Sequence, residues 1–239
     1  MPMTSEVAQV SMVQLELLTT MKGLLLAGGQ SSRMGTRKEL LCLPDGTPLF
    51  IHMVTILHQA LPESGLIYLS LRDRSKLEDL LIPKTVSQHS DDRIIVHSEH
   101  GPVPVQVLFD EDLARCDHGE MGPATGLLRA HESSVNYSWL VVACDYPHLC
   151  AEGLSQLLQE YSGSLTVFRN LDGFSEPLLG VWPSEALDAL QVNVANGITG
   201  PSSVVRQLKG HLVRPESDKW LTNVNTPEEW ERVVQGHGT

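Results

Sequence analysis

The sequence predicts an α/β protein of three layers, in which helices cover both faces of a mostly parallel β-sheet. Short apolar runs of strand length alternate along the 239 residues with segments whose apolar residues recur at helical spacing. The first run, residues 24–26, consists of three leucines, which is typical of a parallel strand buried on both faces. No internal repeat or linker rich in glycine and proline is visible. We therefore predict one domain over residues 22–239 and a poorly ordered N-terminal extension over residues 1–21.

A glycine-rich and basic turn follows this first strand. Residues 23–38 read Gly-Leu-Leu-Leu-Ala-Gly-Gly-Gln-Ser-Ser-Arg-Met-Gly-Thr-Arg-Lys. Phosphates are bound by amides without a Cβ beside them, by hydroxyl donors and by cations, and the turn contains all three: Gly28, Gly29, Ser31, Ser32, Arg33 and Lys38. The spacing matches neither of the two common nucleotide-binding glycine motifs. We predict a polyphosphate site here, against the alternative of a flexible, positively charged surface turn.

The next elements are a helix, a strand and a long polar segment. Helical spacing of apolar residues predicts a helix that Thr47 caps and that reaches residue 61, and residues 66–71 are of strand type. Residues 83–104 follow neither apolar period cleanly and contain three histidines. We expect them to form a surface excursion. The side chains of the histidines should be solvated, because no i, i+4 histidine pair or adjoining carboxylate supports a metal site.

Two aspartates follow predicted strands. Val103, Val105, Val107 and Phe109 recur at every second position, which is the period of a strand, and lead to Asp110. Residues 139–143 form an apolar strand that leads to Asp145. Ligands of α/β proteins bind at the carboxyl ends of parallel strands, so both aspartates are predicted site residues. The alternative is that each one only stabilises a turn. Asp145 is also the carboxylate expected to hold a divalent cation against a triphosphate.

Gly122 lies in a glycine- and proline-containing turn, residues 119–128, that leads into a helix ending near residue 131. The backbone amides of this turn either contact a base or a phosphate, or the turn only reverses the chain. The remaining pattern predicts helices over residues 153–161 and 184–190, strands over residues 165–168, 177–182 and 220–224, and a last helix capped by Thr226 with Pro227 at its first position.

Composition limits the partners. A formal net charge of −12 argues against nucleic acid and anionic membranes, which select basic surfaces, and a phosphate site in so acidic a chain suggests an accompanying divalent cation. The four cysteines form no Cys-x-x-Cys pair, so we expect reduced thiols. No apolar run reaches membrane-spanning length and the first twenty residues lack a basic leader, so we expect a cytoplasmic protein.

Four segments occur in a fixed order, namely residues 26–38, Gly-Pro-Ala-Thr-Gly-Leu at 122–127, Cys-Asp-Tyr-Pro at 144–147 and Asn-Val-Asn-Thr-Pro-Glu at 223–228. With these segments the chain resembles the molybdenum cofactor guanylyltransferases, over about residues 22–233. The resemblance implies a Rossmann-like, mostly parallel sheet of the nucleotide-diphospho-sugar transferase type. Tyr146, where the family usually has methionine, and Thr125, where alanine is common, depart from the pattern.

The resemblance also implies roles for individual residues. Leu26, Ala27 and Gly28 would lie along the nucleotide, with the turn that follows them around its phosphates. Lys38 matches a phosphate-binding lysine, Asp110 a nucleotide-contacting aspartate and Asp145 a magnesium ligand. Ser70 stands where the family often has a base-contacting asparagine. Charge developing during the reaction would be stabilised by Arg33 and Lys38.

The implied reaction is the Mg²⁺-dependent transfer of GMP from GTP to the phosphate of molybdopterin, with release of pyrophosphate. Transient contacts with molybdoenzymes or with cofactor-synthesis proteins would accompany it. One alternative keeps the fold and changes the substrates, as in a cytidylyltransferase or a transferase that acts on another phosphorylated acceptor. An alternative of another class is a non-catalytic protein that binds GTP or the cofactor. It is disfavoured because Arg33, Lys38 and Asp145 are all present.

Overall fold

The computed structural model describes residues 20–29, 34–113 and 121–236. The nine strands in this part of the chain are β1 (Met21–Leu26), β2 (Ile67–Leu71), β3 (Val86–Ser90), β4 (Arg93–Ser98), β5 (Gly101–Phe109), β6 (Ser138–Ala143), β7 (Thr166–Arg169), β8 (Ser175–Trp182) and β9 (His211–Val213). Its α-helices are α1 (Leu49–Ala60), α2 (Leu77–Leu80), α3 (Pro123–Ser133), α4 (Ala151–Glu160), α5 (Ser184–Ala195), α6 (Pro201–Gln207) and α7 (Pro227–Val234). Short 3₁₀ turns cover Lys38–Leu40, Pro62–Ser64, Arg74–Lys76, Asp110–Asp112 and Asp218–Leu221.

The strands form one sheet in the order β3-β4-β5-β2-β1-β6-β8-β7-β9. Its centre, β5-β2-β1-β6, is parallel throughout, whereas β4 and β8 run antiparallel to their neighbours. β7 pairs antiparallel with β8 and therefore runs in the same direction as the parallel centre. The predicted α/β fold with a mostly parallel sheet is confirmed, with antiparallel pairs added on both sides of the centre.

Helices cover the two faces of the sheet. Side chains of β1 alternate between these faces, since Leu25 packs in one apolar core and Leu24 and Leu26 in the other. The core around Leu25 includes buried residues of α1 and α4, and the other core includes buried residues of α3, α5 and α6. This arrangement accounts for the run of leucines, because a strand with both faces covered has no side that favours polar residues.

Met21 is the first residue of β1 and is buried, so it belongs to the sheet although we assigned it to the N-terminal extension. Residues 1–19 of that extension lie outside the described residues, and the division of the chain into an extension and a single domain stays a prediction. The longest helices of the described residues, α1 and α5, have 12 residues each, and none of the helices there is long and apolar enough to span a membrane.

The prediction of a surface excursion over residues 83–104 was wrong for the backbone, although the side chains of His89, His97 and His100 are exposed as expected. This segment forms the hairpin of β3 and β4 and the first part of β5, which extend the sheet on one side. Ile94 and Val96 are buried opposite Val105 and Val103, while the residues between and around them are more exposed. Only two residues of β4 are buried in this alternating pattern. The pattern was therefore not recognised among the polar residues around it.

Two smaller expectations near the chain's turns were also wrong. Residues 220–224 do not form a strand. Trp220 instead lies in the 3₁₀ turn Asp218–Leu221, and its ring centroid is 6.4 Å from that of Phe168. The last strand of the described residues is β9, earlier in the chain. Helix α6 was not predicted. Helix α1 begins after Pro48 without a side-chain cap, so Thr47 does not cap it.

Candidate active site

The register of the parallel centre brings four strand ends to the same level. Leu26 of β1 is paired with Ser70 of β2 and with Ala143 of β6, and Ser70 is paired with Leu108 of β5. The ladder continues beyond β1, because the amide of Ala27 donates to the carbonyl of Ser70 at 3.0 Å. The turns that follow these strands therefore meet along one edge of the sheet, where α/β proteins bind ligands.

One corner of this edge is built around Asp110, which follows β5. The hydroxyl of buried Ser70 donates to Asp110 Oδ1 at 2.7 Å. A Cβ added to Gly28 would lie 2.7 Å from Asp110 Oδ2, so glycine allows the carboxylate to sit against the turn after β1. Burial raises the pKa of Asp110 to about 6, although the Ser70 hydrogen bond and the charges of Arg129 and Arg72 lower it.

Helix α3 begins beside this corner. Its N-cap, Gly122, has a φ of 58° in the left-handed region, and Pro123 occupies the first turn. A Cβ on Gly126 would lie 2.5 Å from Ser70 Oγ and 2.7 Å from Leu26 Cδ2. Glycine at this position lets the first turn of α3 pack directly on the ends of β1 and β2. The amino end of α3 therefore lies at the same edge of the sheet, and a contact of its amides with a base or a phosphate stays a prediction.

The opposite corner is built around Asp145, which follows β6. Lys38 Nζ lies 3.2 Å from Asp145 Oδ2 and donates to Asn225 Oδ1 at 2.7 Å. Asp145 Oδ1 is buried and has no hydrogen-bond partner within the described ranges 20–29, 34–113 and 121–236. The amide of Val224 donates to the carbonyl of Asp145 at 2.9 Å, which ties the turn after β6 to the C-terminal segment. A buried carboxylate oxygen without a hydrogen-bond donor is destabilised, and a bound cation would compensate for the missing donor. Asp145 Oδ1 is therefore a candidate cation ligand.

The C-terminal helix α7 fixes Asn225 in this corner. The Thr226 hydroxyl accepts from the amide of Glu229, and the Glu229 carboxylate accepts from the amide of Thr226 and, at 2.6 Å, from that of Asn225. This capping box confirms the predicted cap at Thr226. A small apolar cluster joins α7 to the turn after β1: Met34, Val224 and Val233. The C-terminal segment is therefore part of the site although it lies far from the glycine-rich turn in sequence.

The structure divides the predicted site residues into two groups. Lys38 and Asp145 are in contact at one corner, and Gly28, Ser70 and Asp110 are in contact at the other. Leu26 and Ala27 are buried between the corners, while Gly29 and Gly122 are exposed. Ser31, Ser32 and Arg33 lie outside the described residues. The roles of all these residues toward a ligand stay predictions.

Sequence reasoning missed the contact between Asn225 and Lys38 and the part that Glu229 plays in fixing it. The available signal was the spacing of Thr226 and Glu229, which is that of a capping box and which predicts an ordered turn at Asn225. Among the described residues no cluster of three or more histidines, cysteines, aspartates or glutamates is placed to hold a metal ion. A cation at Asp145 would therefore need further ligands from a bound substrate.

Several known proteins are similar to this chain. Residues 23–212 match a family described as the MobA-like NTP transferase domain. The chain is 27% identical over 208 residues to a molybdenum cofactor guanylyltransferase of Pseudomonas putida, a match that covers 86% of this chain and 93% of that protein. It is 29% identical over 212 residues to a probable molybdenum cofactor guanylyltransferase of Rhodopirellula baltica, with 86% and 87% covered.

A longer relative is the molybdenum cofactor biosynthesis bifunctional protein of Synechocystis, to which the chain is 26% identical over 219 residues. That match covers 90% of this chain and 54% of the relative, so the chain spans about half of its length. Among solved structures, molybdopterin-guanine dinucleotide biosynthesis protein A from Archaeoglobus fulgidus superposes with a TM-score of 0.62 at 19% identity, with 90% and 98% of the two chains covered. The resemblance and the fold type predicted from the sequence are confirmed by these matches.

Proposed function

The chain belongs to the MobA-like NTP transferase family, and we propose that it transfers GMP from GTP to the phosphate of molybdopterin. The observation that carries the proposal is the carboxylate of Asp145, which pairs with Lys38 through one oxygen and keeps the other buried without a hydrogen-bond partner among the described residues. A lysine and an unsatisfied carboxylate oxygen at the carboxyl ends of parallel strands suit the binding of a nucleoside triphosphate with its cation. The names of the relatives supply the proposed substrates.

In the proposed reaction, a terminal phosphate oxygen of molybdopterin forms a bond to the α-phosphorus of GTP. The bond from that phosphorus to the oxygen bridging to the β-phosphorus breaks, and pyrophosphate leaves with the electron pair. The acceptor phosphate is already ionised near pH 7, so no general base is required. Both reactants are anionic, and catalysis consists mainly of positioning and of neutralising charge.

We propose Mg²⁺ as the cation and Asp145 as its protein ligand. Mg²⁺ is commonly held by one or two carboxylates together with substrate phosphates, which fits a corner with one unsatisfied carboxylate oxygen. When bound, the ion neutralises phosphate charge and polarises the phosphoryl oxygens. Lys38 adds a second positive charge beside Asp145. We propose that Arg33 also neutralises phosphate charge, and this role rests only on the position of Arg33 in the sequence of the glycine-rich turn.

Asp110 supports guanine as the base. An ionised carboxylate accepts hydrogen bonds and donates none, and it binds best to two neighbouring donors. Of the four common bases only guanine presents two adjacent donor groups, N1–H and N2–H₂, on its pairing edge. Ser70 holds Asp110 Oδ1 at 2.7 Å and Gly28 leaves room beside Oδ2, so the carboxylate is fixed in place before a base arrives.

The proposal also covers the surroundings of the reaction. We propose a cytoplasmic enzyme that meets the proteins supplying and receiving the cofactor only transiently. The free thiols of Cys42, Cys144 and Cys150 support a reducing compartment. Co-purification of a cytoplasmic molybdoenzyme with the tagged chain after cross-linking is the result expected, and recovery only with exported proteins would contradict this part of the proposal.

The deciding experiment is release of pyrophosphate by the purified full chain in Mg²⁺ with molybdopterin and, in turn, GTP, CTP, ATP and UTP. We expect release with GTP that depends on molybdopterin. The same assay without molybdopterin and with EDTA provides the controls. Release with CTP instead of GTP would assign the chain to cytidylyl transfer and contradict our assignment of the base. Absence of release with all four nucleotides would exclude molybdopterin as the acceptor.

A further inference from the structure

The hairpin of β7 and β8 reaches past the carboxyl ends of the parallel strands. The last pair between β6 and β8 joins Val142 to Leu179, so residues 175–178 of β8 continue beyond that pair. At about 3.3 Å per residue, this part of β8 extends about 13 Å further. β7 runs in the direction of the parallel centre and leads into the same hairpin. The hairpin tip, residues 170–174, therefore lies at the edge of the sheet that carries the candidate site.

Hydrogen bonds anchor the hairpin tip to the residue that follows Asp145. The Tyr146 hydroxyl is 4% exposed as part of its residue and donates to Glu176 Oε2 at 3.0 Å. Asn170 Nδ2 donates to the other oxygen, Glu176 Oε1, at 3.1 Å. Burial raises the pKa of Tyr146, so the hydroxyl keeps its proton and remains a donor. Each oxygen of Glu176 thus has a donor, one from the hairpin tip and one from the turn after β6.

The backbone of the hairpin tip is a tight turn. Asn170 donates through its amide to the carbonyl of Phe174 at 2.9 Å, and its Oδ1 accepts from the amide of Phe174 at 3.0 Å. The amide of Gly173 donates to the carbonyl of Asn170 at 2.9 Å. Gly173 has a φ of 83°, in the left-handed region that this kind of turn requires. Asn170 therefore fixes the backbone of Phe174 through its main chain and its side chain.

This fixed turn exposes two large apolar side chains. Phe174 is 71% exposed and Leu171 is 73% exposed. The other three phenylalanines of the chain are buried, namely Phe50, Phe109 and Phe168. An aromatic ring on an ordered backbone can stack on a planar ring of a ligand with little further loss of freedom. The hairpin tip thus presents a stacking surface beside the Asp145 corner.

The order of the strands decides which substrate can reach the hairpin tip. In the proposed function the base lies at Asp110, after β5, and the phosphates lie with their cation at Asp145, after β6. β5 and β8 are four places apart in the sheet, or about 19 Å, and β6 lies between them. The base and the hairpin tip are therefore on opposite sides of Asp145. The side of the hairpin is left to the acceptor, which carries a planar pterin ring at a distance from its attacking phosphate.

We propose that Phe174 stacks on the pterin ring of the acceptor and that Asn170 and Glu176 position the hairpin tip for this contact. The inference rests on the proposed function, in which molybdopterin is the acceptor. The ring is held on one side of Asp145 while the phosphate of the same molecule reaches the α-phosphorus of the nucleotide. Phe174 thus selects acceptors by their planar ring and does not touch GTP.

The test changes the ring and leaves the rest of the site intact. Phe174→Leu keeps an apolar side chain and removes the ring, whereas Phe174→Tyr keeps the ring. Ile82→Ala is the control, because it shortens an apolar side chain that is 76% exposed after α2. We expect Phe174→Leu to raise KM for molybdopterin about 10-fold, with kcat and KM for GTP within about twofold of wild type. Phe174→Tyr and Ile82→Ala should keep all three values within about twofold.

The anchor is tested through Asn170. Asn170→Ala removes both side-chain hydrogen bonds of the hairpin tip and should raise KM for molybdopterin about 3-fold, again without a change in KM for GTP. If Asn170 acts through Phe174, the double variant with Phe174→Leu should have the KM of Phe174→Leu alone. A further rise of KM in the double variant would overturn the positioning role of Asn170.

Anaerobic calorimetry with molybdopterin and no nucleotide separates the two proposals. Weaker binding by Phe174→Leu, with wild-type affinity in Phe174→Tyr and Ile82→Ala, supports the inference. Equal affinities of Phe174→Leu and wild type would overturn it, as would an effect of Phe174→Leu on self-association alone or a wild-type chain that does not bind molybdopterin. Binding of molybdopterin without release of pyrophosphate from GTP would refute the proposed function, and the measured affinities would still decide the role of Phe174.

Discussion

The two carboxylates of the candidate site occupy equivalent places and have opposite surroundings. Asp110 follows β5 and Asp145 follows β6, the outer strands of the parallel centre. Asp110 accepts a hydrogen bond from the neutral hydroxyl of Ser70, and burial raises the pKa of Asp110 to about 6. Asp145 has the Lys38 ammonium 3.2 Å from one oxygen and an unsatisfied second oxygen among the described residues.

This difference teaches that the end of a strand determines where a carboxylate lies, whereas the neighbouring groups determine its charge state and what it can bind. A carboxylate beside a hydroxyl and a close glycine is rigid and only mildly favoured as an anion, which suits recognition of hydrogen-bond donors. A carboxylate beside a lysine, with one oxygen free, suits a cation and the phosphates that accompany it. Substitutions that alter one corner at a time can therefore assign each corner its own step.

The largest effect is expected at the Asp145 corner. Asp145→Asn keeps the size of the side chain and removes the charge, so turnover should fall about 100- to 1,000-fold, as when a main electrostatic contact of a transition state is lost. Binding of GTP without Mg²⁺ should change little. Pyrophosphate release measures the first quantity and calorimetry the second. Asp91→Asn, on the exposed turn between β3 and β4, is the control. Near-normal turnover of Asp145→Asn would refute the metal assignment.

A smaller but specific effect is expected where the turn after β1 meets Asp110. In Gly28→Ala the new Cβ would lie 2.7 Å from Asp110 Oδ2, so the carboxylate must move. We expect KM for GTP to rise about 10-fold with a smaller change in kcat. Gly29→Ala adds the same methyl group with no atom of the described residues within 4 Å and should raise KM less. Equal effects of the two substitutions would show that the distance to Asp110 has no influence.

The pH dependence distinguishes the two carboxylates further. With a pKa of about 6, Asp110 becomes protonated as the pH falls through 6 and can no longer accept two hydrogen bonds from guanine. KM for GTP should therefore rise several-fold between about pH 7 and pH 5 in the wild type. Asp110→Asn should start with a raised KM and show no such slope. A steep slope in Asp110→Asn would mean that another group titrates.

Much of this arrangement could be predicted from the sequence, and the rest depended on pairing that the sequence does not reveal. Lys38 and Asp145 were predicted as partners of a triphosphate, because a glycine-rich turn and an aspartate after a strand carry recognisable chemistry. The contact of Ser70 with Asp110 depends on the register of β2 and β5. Register follows from packing, so the serine could be found only as a weak match.

The contact of Tyr146 with Glu176 could not be predicted from the sequence for a related reason. Glu176, which accepts a hydrogen bond from Tyr146, lies on β8 at a shift of register with β7. Val167 is paired with Gly180 there, and the next residue, Phe168, is paired with Glu176. The hairpin of β3 and β4 was missed because only Ile94 and Val96 are buried on β4. Two apolar residues are too few for the alternation of a strand to be recognised in the sequence. Chemistry-bearing residues could thus be named, whereas contacts between distant segments could not.

The smallest effect concerns stability and again separates the two corners. The folded-state pKa of Asp110, about 6, lies above the usual aspartate value of 3.8, so the folded protein binds this proton more readily than the unfolded chain. Its contribution therefore lowers stability as the pH rises from about 4 to about 6, and the penalty stays constant above that. Asp110→Asn removes the penalty and should raise the free energy of unfolding by about 1–3 kcal/mol at pH 7.

At about pH 4 most of the gain in stability of Asp110→Asn should have been lost, because Asp110 is then protonated in the folded protein and partly protonated in the unfolded chain. Urea unfolding at pH 4 and pH 7, with Asp91→Asn as the exposed control, measures the difference. A variant that is more stable and yet binds GTP more weakly would show that the Asp110 carboxylate is retained at a cost to folding. Lower stability at pH 7 would mean instead that the charge is favoured in the folded state, as expected of a carboxylate that holds the structure together rather than a ligand.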